Sequence, residues 1–115
     1  MSQLTEAQKI IAKNMSEETL QNSIVELAHS LHWLVHAERP ARTADGWRTP
    51  VQGDKGFPDL VLAKNKMVIM AELKSENGTI SEAQQVWWRA IESPKFQLWR
   101  PRDWVTGYIE CMLRG

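Results

Sequence analysis

The sequence is short of the features that would settle its chemistry at once. It holds a single cysteine, Cys111, so no intrachain disulfide can form and a reducing compartment is expected. Set among apolar residues near the end, Cys111 reads as an inert core thiol. No apolar run reaches the ~20 residues of a membrane-spanning helix. The opening MSQLTEAQKI is too polar for a secretory signal, so a cytoplasmic protein with no membrane partner is expected. Net charge is also missing, with 14 basic and 14 acidic residues. That excludes a protein whose whole surface is a basic glove for nucleic acid. A glycine-rich phosphate loop, a Ser/His/Asp grouping, an internal repeat and a low-complexity tract are all absent.

What is present suits one globular domain: 115 residues, 43% of them hydrophobic, with six tryptophans. Thr5 with Gln8 has the form of a capping box and opens a short helix over about 6–13. A second helix starts after Ser16, with Glu17 and Glu18 in its first turn where the helix dipole favours anions. Its apolar positions Leu20, Ile24, Leu27, Ala28 and Leu31 recur at three and four, which buries one face. WLVHAE then reads as a short strand. Strands follow at 58–63 and 67–74, then a helix capped by Ser81, a strand in KFQLWRP and a final helix in DWVTGYIECMLR.

Between the first two strands lies a loop, residues 39–56, rich in Pro and Gly. Arg39, Arg42, Arg48 and Lys55 outnumber Asp45 and Asp54 there, whereas residues 1–36 have Lys9 and Lys13 against four glutamates. A local basic loop on a neutral body suits phosphate contact and equally suits a solvated loop. Its length points to a functional or mobile role. Trp47, within it, is hard to account for as core and could stack on an unpaired base.

The stretch GFPDLVLAKNKMVIMAELK (56–74) carries the most informative pattern. If Asn65 and Lys66 form a two-residue turn, paired positions sum to 131 and Asp59 stands opposite Glu72. Their side chains then share one sheet face about 5 Å apart at Cβ, with Lys74 on the same face. Ile69, Ala71 and Leu73 occupy the other face, the core side. Two facing carboxylates repel unless one takes a proton or a cation stands between them. Lys74 could supply that charge as a salt bridge; a hard divalent ion supplies more, and all-oxygen ligation suits Mg²⁺ or Mn²⁺.

Gly56-Phe57-Pro58-Asp59, then Glu72-Leu73-Lys74, then Ser81-Glu82-Ala83-Gln84 resembles the PD-(D/E)xK nuclease signature. Ser16-Glu17-x-x-Leu20-Gln21 together with the glutamine-bearing helix is similar to its virus-type replication-repair nuclease (VRR-NUC) branch. The similarity covers about residues 16–104. It implies an α/β fold with a restriction-endonuclease-like αβββαβ core, a mixed sheet flanked by helices, within a single nuclease domain over 1–115. It implies DNA phosphodiester hydrolysis with one or two Mg²⁺ or Mn²⁺ ions held by Asp59, Glu72 and the Leu73 carbonyl. Lys74 would serve the attacking water and the charged phosphate. Glu17 matches the first-helix acid, with Glu18 and then Glu26 as competitors. Gln84 fits a capping box with Ser81, which by itself accounts for it, while the family places a glutamine here at the active site; one side chain can do both.

By the same resemblance, small stand-alone members are similar to junction-resolving enzymes that act as two-fold dimers. The expectation is therefore a homodimeric endonuclease on branched or four-way DNA, with Arg39, Arg42, Trp47, Arg48 and Lys55 contacting it. A viral or phage source, acting in the host cell, is hinted only through the family. A flap-directed or nonspecific nuclease and a non-catalytic DNA-binding module are the alternatives. His29, His32 and His36, at spacings of three and four, would suit zinc only on one continuous helix, which should end near Trp33. Of the adjacent Trp87 and Trp88, at least one should be core by periodicity.

Overall fold

The computed structural model describes residues 3–37, 52–91 and 94–115. Helix α1 (Glu6–Asn14) is opened by the expected capping box: the Thr5 hydroxyl accepts the Gln8 N–H at 3.1 Å, and Gln8 Oε1 accepts the Thr5 N–H at 2.9 Å. Helix α2 (Glu17–Ser30) follows with Ser16 as N-cap, and its stripe Leu20, Ile24, Ala28 is fully buried. The helix stops at Leu31, and His32 takes a positive φ of 69°. The chain then turns into strand β1 (Leu34–Ala37).

Strands β2 (Leu60–Lys64) and β3 (Met67–Leu73) form the expected hairpin. Asn65 and Lys66 have φ of 50° and 68°, the two left-handed residues of a type I′ turn. The register runs from Lys64↔Met67 to Leu60↔Ala71, the pairing sum of 131. Helix α3 (Glu82–Ala90) then crosses over to strand β4 (Phe96–Trp99), which pairs parallel to β3, as parallel neighbours require a crossover. The sheet order is β1-β2-β3-β4, antiparallel except for that last pair. Mixed, four-stranded and flanked by helices, it has the restriction-endonuclease-like α/β core that was expected. The chain closes with two short helices in place of one, α4 (Pro101–Val105) and α5 (Tyr108–Arg114), because Gly107 at φ 83° breaks the run.

The sheet's two faces differ in character. Leu60, Leu62, Ile69, Ala71, Leu73 and Trp99 point into a core shared with Leu20, Ile24 and Ala28 of α2 and Ile109 and Leu113 of α5. Trp33 closes its end, its indole N–H donating to the Leu113 carbonyl at 2.9 Å. The opposite face carries Glu72 and Phe96, partly covered by α3, while Leu34 and Val68 on it remain 75% and 44% exposed.

Two expectations are overturned. Cys111 is exposed: Ile109 and Leu113, four apart, take the inward face of α5 and leave Cys111 between them pointing out. Helix α3 has no buried residue, so neither tryptophan is core; Trp87 meets Phe57 edge-on and Trp88 stacks on Phe96 while staying 39% exposed.

Candidate active site

Asp59 lies one residue before β2 and Glu72 near the end of β3, the next pair outward from Leu60↔Ala71. The Asp59 carboxylate is fixed to the sheet, its Oδ2 accepting the Leu73 N–H at 2.8 Å. Pro58, fully buried, restricts the approach to it. Glu72 is only 2% exposed, the one buried charged side chain among the described residues. Its Oε1 accepts from Gln84 Nε2 at 2.5 Å. Its Oε2 is buried and has no hydrogen-bond partner among the described residues.

The electrostatics follow from that seat. Burial, reinforced by the neighbouring Asp59 carboxylate and by the charge of Glu17, pushes the Glu72 carboxyl up to about 8. Lys74, on the same face by strand alternation, pulls the other way. Near neutral pH the pair therefore holds a proton. No ion pair joins Lys74 to either carboxylate among the described residues, so the salt-bridge account of this trio is not what the fold builds.

Gln84 makes two contacts through different atoms. Its Oε1 accepts the Ser81 N–H at 2.8 Å, completing the capping box of α3, and its Nε2 donates to Glu72. Of the three first-helix candidates, Glu17 is the one whose charge acts on Glu72. Glu18 is exposed beside it, and Glu26 lies farther along α2 in a surface hollow with Trp104. The carboxylates do not close into a ready-made cage: among the described residues no group of three or more His, Cys, Asp or Glu could hold a metal ion. The same finding removes the histidine zinc site, since His29 lies in the last turn of α2, His32 in the turn that follows and His36 in β1. Arg39, Arg42, Trp47 and Arg48 lie outside the described residues. Lys55 is exposed, and its carbonyl accepts the Trp87 indole N–H at 2.8 Å.

Sequence reasoning missed two structural supports. Arg100 Nη1 donates to the carbonyls of Ser75 and Gly78 at 2.8 Å each and of Glu76 at 3.3 Å, pinning the loop that leaves Lys74 for α3. Nothing local in the sequence announces a contact across that separation. Gly56, whose motif position was visible, had no assigned reason until its contact with α3 was known.

The family model of the VRR-NUC domain matches residues 3–98, most of the sequence and every element just described except α4 and α5. The chain belongs to the VRR-NUC domain family. Neither the curated proteins nor the solved structures give a match. Membership makes this VRR-NUC chain part of a nuclease family, with DNA as the substrate that family implies. Among the described residues no helix is long and apolar enough to cross a membrane.

Proposed function

We propose that this VRR-NUC chain is a Mg²⁺- or Mn²⁺-dependent endonuclease that hydrolyses DNA phosphodiester bonds. The observation that carries the reading is Glu72: buried, facing Asp59, with one oxygen on Gln84 and the other without a partner among the described residues. Leaving a carboxylate oxygen buried and unpaired is costly for a fold that gains nothing from it. A hard cation fits that oxygen, and the donors at hand are the all-oxygen kind such a cation prefers.

In this reading Asp59, Glu72 and the Leu73 carbonyl would hold the ion, with Glu17 at the rim. Bound there, it would supply Lewis-acid polarisation of the phosphate and a more acidic water. Gln84 orients Glu72, and the Leu73 N–H orients Asp59. Lys74 places positive charge where the phosphate oxygens become more negative and helps align the attacking water. On this account Glu72, which keeps its proton because it is buried beside Asp59, would have to release it to hold such an ion.

For the substrate we infer branched or four-way DNA, cut by a homodimer in the manner of a Holliday-junction resolvase. Zero net charge limits how many phosphates one copy can neutralise, and a two-fold pair doubles that number. The exposed Leu34 and Val68 supply apolar surface of the kind a second copy covers. Arg39, Arg42, Arg48 and Lys55 would contact phosphates and Trp47 an unpaired base.

A cleavage assay on linear, flap and four-way DNA with Mg²⁺, Mn²⁺ or EDTA tests the whole reading. Cutting that persists in EDTA would refute the metal requirement. Equal cutting of linear and four-way DNA by a protein that light scattering finds monomeric would refute the dimer and the junction preference. Binding without cutting under every condition would leave a DNA-binding module.

A further inference from the structure

Helix α3 presents Gln84 to Glu72 although none of its residues is buried, so a few discrete contacts must hold it in place. Three of them come from the residues just before Asp59. The Trp87 indole N–H donates to the Lys55 carbonyl at 2.8 Å. The Phe57 ring meets the Trp87 ring edge-on, with centroids 5.1 Å apart. Between them Gly56 lies directly on the helix backbone: a Cβ there would stand 2.5 Å from the Ala83 carbonyl carbon, 2.6 Å from its oxygen and 2.7 Å from the Gln84 nitrogen. Gly56 also has a φ of +91°, which L side chains rarely adopt.

We propose that Gly56 and Trp87 form a clamp that seats the Asp59-bearing loop on α3 and thereby holds Gln84 against Glu72. Both are positioning residues, since neither touches the carboxylate pair among the contacts described. The clamp couples the two halves of the site: Asp59 enters from the loop side and Gln84 from the helix side, and Gly56 is where the two backbones touch. Any side chain at position 56 must push apart two main chains, which cannot yield as a flexible side chain would. The clamp's link to catalysis rests on the nuclease reading above; its geometry does not.

Gly53 provides the control, because it shares the positive φ, at +117°, but a Cβ there meets nothing within 4 Å. Gly53→Ala therefore introduces backbone strain alone, and Gly56→Ala introduces strain plus the clash. Two readouts are taken on the full chain at a temperature where circular dichroism shows both variants folded. In ¹⁵N spectra, Gly56→Ala should shift the Gln84 side-chain amide signals and speed exchange of the Trp87 indole proton, and Gly53→Ala should do neither. In the cleavage assay, Gly56→Ala should lower kcat by on the order of 100-fold while KM for DNA holds, the signature of a misplaced group.

Should Gly56→Ala not fold, Trp87→Phe keeps an aromatic ring at that position but removes the indole N–H together with part of the ring system. It should shift the same Gln84 signals and lower kcat by at least about tenfold, the worth of the lost hydrogen bond alone. Unmoved Gln84 signals in folded Gly56→Ala or in Trp87→Phe, or equal losses in Gly53→Ala, would overturn the clamp. A wild-type protein inactive with every metal would end the nuclease reading and leave the spectra to decide the clamp.

Discussion

At its C-terminal end strand β3 has two dry faces that are chemically opposite, although farther back Val68, on the Glu72 face, stays 44% exposed. Toward α2 it shows Ile69, Ala71 and Leu73, at 5%, 0% and 1% exposure; toward α3 it shows Glu72 at 2%. On the first face burial gains hydrophobic free energy, about 25 cal/mol for each Å² removed from water. On the second it opposes ionisation of a carboxylate that already faces another. At this end of the strand low exposure alone therefore does not distinguish the two faces; the pairing of the polar atoms does. One face is arranged for stability and the other holds a carboxylate in a state that solvent would not permit.

The sharpest way to separate the faces is one substitution on each. Glu72→Gln keeps the shape, removes the charge and should abolish cleavage, by on the order of 10³-fold or more, given the several kcal/mol that metal-assisted charge stabilisation supplies. It should leave DNA binding intact, and thermal unfolding above pH 8 should occur at a higher temperature than in wild type. Ile69→Ala should do the reverse, costing about 2–5 kcal/mol of stability with kcat near wild type while the chain stays folded. Urea melts beside single-turnover cleavage would check both. Loss of activity in folded Ile69→Ala matching that of Glu72→Gln would erase the distinction.

A smaller effect is expected from pH. Because the Glu72 carboxyl is raised from 4.5 to about 8 in the fold, the native state holds a proton across that interval that the unfolded chain has released. The sign follows: this group's contribution is fully present below pH 4.5, declines as pH rises and is gone above about pH 8. The slope is at most about 1.4 kcal/mol per pH unit for one proton. Mg²⁺ or Mn²⁺ should flatten that decline, and Glu72→Gln should remove it without metal. Thermal melts from pH 5 to pH 9, with and without the ion, measure it; a metal-free wild type whose stability rose over this interval would contradict the assignment.

Much of this contrast was legible in the order of residues. The Asn65-Lys66 turn sets the register, and the two-residue period of strands then puts Asp59, Glu72 and Lys74 on one face and Ile69, Ala71 and Leu73 on the other. Both capping boxes were readable because their partners are three residues apart. The errors lie where tertiary placement decides. Trp87 and Trp88 have core-forming side chains, yet α3 crosses the sheet's far face and leaves them at its edge. Cys111 has apolar neighbours, but Gly107 resets the helix phase, and Ile109 and Leu113 define its inward side. Helical periodicity leaves open which end of α2 lies by β3; the motif resemblance, not the helical pattern, put Glu17 ahead of Glu26.

The finest distinction concerns the single residue that touches both the helix cap and the carboxylate face. Gln84 Oε1 accepts the Ser81 N–H and Nε2 donates to Glu72, so changing one end of the side chain separates the two contacts. Gln84→Ala removes both and should cost more than the ~1 kcal/mol of a cap alone, because Glu72 Oε1 is then left buried without its donor. Gln84→Glu keeps the cap but replaces the donor with an oxygen facing another oxygen. At pH 6 a proton on Glu72 can bridge the two, and the melting temperature should stay near wild type. At pH 9 that proton is gone, two carboxylates face each other within hydrogen-bonding distance, and the melting temperature should fall by several degrees, at about 4 °C for each kcal/mol in a domain of this size. A Gln84→Glu protein whose melting temperature tracks wild type from pH 6 to pH 9 would show that the side chain has turned from Glu72 and serves the helix cap alone.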